Sequence, residues 1–300
     1  MKKIIVIGSS NTDMVIRADR IPVPGETVLG GHFFMNPGGK GANQAVAAAR
    51  MGGNVIFIAK VGNDTFGSES KSLWQRENIH TGHILTDPDE PSGAALIMVD
   101  ARGENCICVA PGANKSLLPA DLVPLRHELE QASILLMQLE TPIETVLCAA
   151  KWAAEKNVRV ILNPAPAAPL PIEIYRYLNV ITPNETETEI LTGIHVSDAV
   201  SAETASEIFC RRGVCTVIIT MGEKGAWLYQ SGRGELIPVR TVKRVDTTAA
   251  GDVFNGALAV GLAEGMSLRN AIVLANEAAT LSVTRMGAQS SAPYRQEIAG

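Results

Sequence analysis

The run Asp246-Thr247-Thr248-Ala249-Ala250-Gly251-Asp252 stands directly before an apolar segment with helical spacing. The first N–H groups of a helix have no partner inside it and carry a partial positive charge. Small residues there let an anion come close to the backbone. The stretch Ala249–Asp252 therefore reads as an anion hole for a phosphoryl group in transfer, with the Asp252 carboxylate where an attacking hydroxyl would be. An aspartate has an unperturbed pKa of about 3.9 and is ionised at neutral pH. It can take the proton of an attacking hydroxyl as the O–P bond forms, help that is typically worth about 10²–10⁴-fold. Asp252 also fits a plainer reading, an acid favoured in a first turn by the macrodipole. The Ala-Ala-Gly run before it makes the two readings competitive.

A second segment, Pro37-Gly38-Gly39-Lys40-Gly41-Ala42-Asn43, opens another helix. It is not a Walker A loop, because Lys40 is followed by Gly41 rather than Ser or Thr and the first glycine of that motif is missing. Its glycines let backbone touch a ligand, and Lys40 and Asn43 can bond hydroxyls; a tight strand-to-helix turn fits the same residues. Gly8-Ser9-Ser10-Asn11 follows the first apolar run without completing G-x-G-x-x-G, which argues against a nicotinamide site.

These segments need elements to hold them. Ile4–Ile7, Val55–Ile58, Ile134–Met137, Val158–Leu162, Val180–Thr182 and Val217–Thr220 are short runs apolar on both faces, as in parallel strands covered by helices. Helical patterns lie between them at Gly41–Met51, Thr65–Glu77, Pro119–Gln131, Pro142–Lys156 and Ala202–Arg212, and two more follow at Gly251–Glu264 and Leu268–Thr284. The alternation predicts an α/β fold, a parallel sheet with helices on both faces. Asp13–Phe34 and Ser92–Val109 break the rhythm and read as hairpins of a small inserted antiparallel sheet, well placed to cover a ligand at the strand ends.

Composition narrows the class. With 46% apolar and 19% charged residues the chain has the balance of a globular domain. A net charge of −5 argues against a basic nucleic-acid or membrane-surface protein. The odd count of five cysteines, scattered in sequence, gives no disulfide framework and no zinc spacing; the simple expectation is small buried thiols in a reducing compartment. The apolar run Ile4–Ile7 is too short for a signal segment and no stretch reaches the length of a membrane span, which favours the cytoplasm.

Taken together, the Gly38–Asn43 region and Asp246–Gly256 (DTTAAGDVFNG) resemble the two signatures of the ribokinase family of carbohydrate kinases, the PfkB family. Further similar stretches are Ser10–Asp13, Pro24–Thr27, Met137–Glu140, Asn163–Ala167, Thr182–Glu187 and Gly287–Gln289, so the likeness runs over nearly the whole chain. The resemblance implies a three-layer α/β/α sandwich with a mostly parallel sheet over 1–300, and an inserted β lid from 12–37 and 92–112 that covers the sugar and pairs two chains into a homodimer. It implies ATP-dependent phosphorylation of a pentose, D-ribose above all, at its 5-hydroxyl. Other sugars or nucleosides as acceptors, or a non-catalytic sugar-binding module, are the alternatives. For the sugar it implies Asn11, Thr12, Asp13, Gly39, Lys40, Gly41, Asn43 and Glu140, with Asp252 as base and the Ala249–Asp252 helix N-terminus as anion hole. For ATP it implies Asn184, Thr220, Gly222, Gly225, Gly251 and Asn276, with Glu187 organising Mg²⁺ through water. A monovalent cation, K⁺, is implied beside Asp246, Thr248, Ser282, Arg285, Gly287 and Ser291, several of them through backbone carbonyls.

Overall fold

The computed structural model describes residues 2–298, so the extreme ends of the expected 1–300 domain, residues 1 and 299–300, lie outside it. From the N-terminus run β1 (Lys3–Ile7), β2 (Asn11–Arg17), β3 (His32–Gly38), α1 (Lys40–Arg50), β4 (Asn54–Gly62), α2 (Thr65–Arg76), β5 (Ile84–Asp87), β6 (Gly93–Val99) and β7 (Asn105–Ala110). Then come α3 (Pro119–Leu122), α4 (Arg126–Glu130), β8 (Ile134–Met137), α5 (Ile143–Glu155), β9 (Arg159–Leu162), β10 (Val180–Ile181), α6 (Glu185–Thr192) and α7 (Ala199–Arg212). The last elements are β11 (Thr216–Thr220), β12 (Ala226–Gln230), β13 (Arg233–Ile237), α8 (Ala250–Ala263) and α9 (Leu268–Ser282).

A nine-stranded sheet runs in the order β13-β12-β11-β10-β9-β8-β1-β4-β5. It is parallel from β5 across to β11 and antiparallel at its β11/β12 and β12/β13 pairs. Side chains alternate between faces along each strand. Ile4 and Val6 accordingly join the core under α1, α8 and α9, while Ile5 and Ile7 join the core under α5 and α7. This is the expected three-layer α/β/α sandwich. Strand order reverses on either side of β1, with β4 to one side and β8 to the other. In open parallel sheets the crevice at such a reversal, beyond the carboxyl ends of the strands, is where ligands sit.

The four-stranded sheet, ordered β3-β2-β6-β7, occupies the two excursions expected at 12–37 and 92–112, with β2 and β3 each extending one residue beyond the first. It is not wholly antiparallel. Its two hairpins join through a parallel β2/β6 pair, because β2 and β6 follow the carboxyl ends of the parallel strands β1 and β5 and run the same way.

Three other expectations need correction. Pro119–Gln131 is not one helix: Pro124 has no N–H to donate, and a 3₁₀ turn at Val123–Leu125 separates α3 from α4. The cysteines are not buried; Cys106, Cys108 and Cys215 are exposed and Cys148 and Cys210 half-buried, all as free thiols. The strands β5, β12 and β13 and the short helix α6 carried too little apolar periodicity to stand out in the sequence.

Two glycines set the spacing of the core elements near the crevice. Gly39, the N-cap of α1, has φ +87°, and a Cβ there would meet the backbone of Ser10 and Asn11 at 2.7 Å. Gly256 lies where α8 crosses α1, and a Cβ there would stand 2.7 Å from the Gln44 carbonyl. Without side chains at these points, α1 lies close against both the β1–β2 turn and α8.

Candidate active site

The helix α8 begins at Ala249, whose backbone is left-handed (φ 60°) and whose side chain offers no cap. Gly251 and Asp252, in the first turn, have N–H groups with no carbonyl to reach inside the helix. A non-glycine residue held in this region costs about 1–2 kcal/mol. That cost is consistent with a backbone shaped for a ligand.

Asp252 is buried at the start of α8. Both its oxygens are held by amides from α1. Asn43 Nδ2 donates to Oδ2 at 2.9 Å, and Gln44 Nε2 donates to Oδ1 at 2.9 Å. Burial pushes its carboxyl above the usual range, the nearby Lys40 charge and the two amides pull it down, and Glu140 pushes it up. Burial works against the Lys40 ammonium too, but Asp252, Glu140 and Glu187 outweigh it and hold its pKa above the ordinary lysine value. Three carboxylates from three different elements thus converge on one cation.

The predicted sugar residues assemble around this centre. Glu140, just beyond β8, accepts from the Lys40 backbone N–H at 2.9 Å and from Ser9 Oγ at 2.5 Å. Ser9 Oγ in turn accepts from the Gly41 N–H at 3.3 Å. Asn11 is held by Asn114, whose Nδ2 donates to Asn11 Oδ1 at 2.8 Å and to the Ser10 carbonyl at 3.0 Å. Asp13 lies on the same face of β2 as Asn11. Its carboxyl is pushed up to about 6, by burial first and by Glu140 second. Thr12 does not join this set: the pleat of β2 turns it to the opposite face. Asn43 Oδ1 is buried with no partner among the described residues.

On the other side of α8 lies a cleft of about 370 Å³. Asn184, Thr220, Gly222, Gly225, Gly251 and Asn276 all line it. Glu187 does not line it; it closes a capping box at the start of α6, taking the Asn184 N–H at 2.9 Å while Asn184 Oδ1 takes its own at 2.7 Å. Burial pushes the Glu187 carboxyl up; the Asn184 amide and Lys40 draw it down, and Asp252 raises it. Asn276 spends its Nδ2 on the Ile237 carbonyl at 3.1 Å, tying α9 to β13.

The residues expected at a monovalent cation meet only in part. Asp246 accepts from the Thr248 N–H through Oδ1 and from the Gly287 N–H through Oδ2, both at 2.9 Å, so these three are in direct contact. Burial raises the Asp246 carboxyl, but the Thr248 and Gly287 bonds, helped by Arg17, hold it below the usual range. Ser282 and Arg285 share the turn after α9, where the Arg285 N–H donates to the Ser282 carbonyl at 3.0 Å. The Arg285 guanidinium is turned away to Glu297. Ser291 lies one turn further and spends its hydroxyl on the Ala288 carbonyl. Among the described residues no three His, Cys, Asp or Glu side chains cluster as a metal site. A cation here would rest on Asp246 and carbonyl oxygens, a donor set that suits a hard ion.

Sequence reasoning missed the side chains behind Asp252. Gln44, Gln138, Asn163, Thr182 and Asn255 form one buried relay across the ends of β8, β9 and β10. The available signal was two adjacent amides, Asn43 and Gln44, on a helix rich in alanine.

Residues 1–295 match the family model described as pfkB family carbohydrate kinase. The chain belongs to this family. A carbohydrate kinase of the pfkB family is therefore the frame for everything above. The chain is 45% identical to the ribokinase of Haemophilus influenzae, covering 99% of this chain and 97% of that one. It is 36% identical to the deoxyribokinase of Salmonella typhi, covering 98% and 97%. The solved structure of Arabidopsis thaliana ribokinase complexed with ribose and ATP superposes with a TM-score of 0.94 at 30% identity, covering 99% of this chain and 97% of that one.

Proposed function

We propose that this carbohydrate kinase is a ribokinase, moving the γ-phosphoryl group of ATP to the 5-hydroxyl of D-ribose to give D-ribose 5-phosphate and ADP. One observation carries the reading. The amide-held carboxylate of Asp252 sits at the uncapped start of α8, with the Asp13–Lys40–Asn43–Glu140 cradle on one side and the Gly251-lined cleft on the other. In this reading the 5-oxygen attacks the γ-phosphorus, its proton passes to the Asp252 carboxylate, and the bond to the β-phosphate oxygen breaks with its electrons leaving on ADP. The Gly251 and Asp252 N–H groups take up the charge that develops on the moving group. Asn11 and Asp13 accept from ring hydroxyls; a short carboxylate taking two vicinal O–H groups selects a diol and disfavours the deoxy sugar. The orphaned Asn43 Oδ1 supplies a further acceptor. Asn184, Thr220, Gly222, Gly225 and Asn276 hold the nucleotide.

Carboxylate and carbonyl oxygens at both places are donors that suit the two cations that the family resemblance implies. Glu187, with a free oxygen and Lys40 nearby, would hold Mg²⁺ through water. Asp246, Thr248, Ser282, Arg285, Gly287 and Ser291 would cradle K⁺, mainly through backbone oxygens. The chemistry both supply is charge neutralisation around the transferred phosphoryl group. ADP release measured across ribose, deoxyribose, other pentoses, hexoses and nucleosides, with K⁺ or choline as the monovalent ion, tests the reading. Ribose should lead in kcat/KM and K⁺ should raise the rate; a preference for deoxyribose or a nucleoside would overturn the substrate assignment.

Asp13 gives this reading a pH signature. With its carboxyl near 6, the ionised fraction drops about tenfold between pH 7 and pH 5. Only the ionised form accepts from both hydroxyls, so the KM for ribose is expected to rise by up to about tenfold as pH falls over that range. Asp13→Asn should bind ribose weakly at every pH and lose the dependence. A wild-type KM that stays flat from pH 7 to 5 would remove Asp13 from the sugar site.

The four-stranded sheet serves in this reading as a lid. Its face opposite Asp13 carries Met14, Ile16, Phe33, Met35 and Leu96, of which the last four are 42%, 54%, 50% and 59% exposed. A second copy of the chain covers that face in a homodimer. Sedimentation should return twice the chain mass for the wild type and a single chain for Leu96→Arg; a monomeric wild type at micromolar concentration would refute the pairing. No helix among the described residues is long and apolar enough to cross a membrane. The five free thiols fit a reducing compartment, and the cytoplasm is the proposed location.

A further inference from the structure

We infer that Gln44, which reaches neither the sugar cradle nor the nucleotide cleft, is the positioning residue that fixes how the Asp252 carboxylate faces the acceptor hydroxyl. The inference rests on Asp252 acting as the base. Gln44 is completely buried on α1. Its Nε2 donates to Asp252 Oδ1 at 2.9 Å and to Asn163 Oδ1 at 3.1 Å, and its Oε1 accepts from Gln138 Nε2 at 2.6 Å. Both N–H donors are spent, and the acceptor is claimed by a third residue. Turning the amide over would set Oε1 against two acceptors, Asp252 Oδ1 and Asn163 Oδ1.

Its orientation is fixed from further out as well. Asn163 is held by its own Nδ2, which donates to the Thr182 carbonyl at 3.0 Å. Thr182 Oγ1 donates to Asn255 Oδ1 at 2.6 Å, and Asn255 Nδ2 returns to the Gly251 carbonyl at 2.8 Å. The relay therefore leaves Asp252 through Gln44 and comes back to the first turn of α8, one residue before Asp252. It references the carboxylate and the proposed anion hole to the same strand ends.

The two amides on Asp252 are not equivalent. Asn43 retains an unpartnered Oδ1 and can rotate its amide when a sugar arrives. Gln44 has no such freedom. Oδ1 of Asp252 is thus the fixed oxygen, and Oδ2, on the Asn43 side, is the one that receives the proton. A hydrogen bond donated to a carboxylate also favours its ionised form. The charged groups around Asp252 are Lys40 on α1, Glu140 after β8 and Glu187 on α6, and none of them is altered by changing Gln44.

Gln44→Met keeps the length and volume of the side chain and removes every donor. Losing one hydrogen bond to a charged group is expected to lower kcat by about 10- to 100-fold. The KM for ribose should stay within about twofold, since no sugar contact is lost. The acid limb of the kcat–pH profile should move to higher pH by about one unit. Gln138→Met leaves the Gln44–Asp252 bond in place but releases the acceptor side, and should give a smaller loss with the same direction of limb shift. A folded Gln44→Met enzyme with wild-type kcat and acid limb, or one whose loss lies wholly in KM, overturns the inference. Should Gln44→Met fail to fold, Gln138→Met decides, and an unshifted limb there overturns it equally. Asp252→Asn separates the two levels: an active Asp252→Asn enzyme removes the base itself, whereas an inactive one beside an unaffected Gln44→Met removes only the role of Gln44.

Discussion

Asp252→Asn is expected to lower kcat by about 10²–10⁴-fold, the usual worth of a positioned general base, while the protein stays folded and still binds ribose. The substitution keeps the shape of the side chain but puts an NH₂ group where an oxygen accepted. One of the two amides facing it must then present its own oxygen. Gln44 is pinned by Asn163, whose fixed Oδ1 accepts its second N–H, so Asn43, with its free Oδ1, is the one that turns. The sugar would then meet the Asn43 NH₂ in place of its oxygen, and ribose affinity should change modestly. Stability at neutral pH should hold or rise. The Asp252 carboxyl titrates above its unfolded value, so the folded state loses stability as pH climbs from the unfolded pKa through the raised folded one. An asparagine never carries that cost. Steady-state rates, ribose calorimetry and thermal melts between pH 5 and 8 measure all three effects. Turnover within a few fold of wild type would end the case for Asp252 as the base.

Gly251→Ala should separate stability from activity in the opposite sense. A Cβ built on Gly251 meets nothing within 4 Å, so the protein itself has room for the methyl group. Alanine is also the better helix former by about 1 kcal/mol, and the variant should melt at the same temperature or slightly higher. The space the methyl fills is the cleft wall at the start of α8, where the proposed anion hole receives the phosphoryl group. Displacing that group by about 1 Å from the backbone N–H donors can cost roughly 10²-fold in rate. The loss should appear in kcat and in the KM for ATP, with ribose binding in the absence of nucleotide unchanged. A variant that is both more stable and fully active would mean that the phosphate does not pass over this residue.

The sandwich was legible because its strands are apolar on both faces and its helices on one. Ile134–Met137 matches β8 at both ends, and most other predicted elements lie within a few residues of those observed. β12 and β13 were not, since they form an antiparallel hairpin at the sheet edge, and β13 is exposed along all but its last residue. Asp252, Lys40 and Asn43 could be picked out because small residues and glycines around them announce close approach to a ligand. Gln44, Gln138, Asn163 and Asn114 could not. Each has a partner 94 to 208 residues away, and only at Gln44, beside Asn43, does the local sequence give any hint of it. The reverse error is Thr12. It lies between two residues with the right chemistry, and only the pleat of β2 turns it from the crevice.

One strand, β2, presents Asp13 toward the crevice and Met14 and Ile16 to the outside. A displacement of that strand on sugar binding would move both of its faces together. Free-energy linkage makes the coupling mutual: if filling the crevice tightens self-association by some factor, self-association must tighten sugar binding by the same factor. The apparent affinity for a monosaccharide then becomes a function of the enzyme's own concentration.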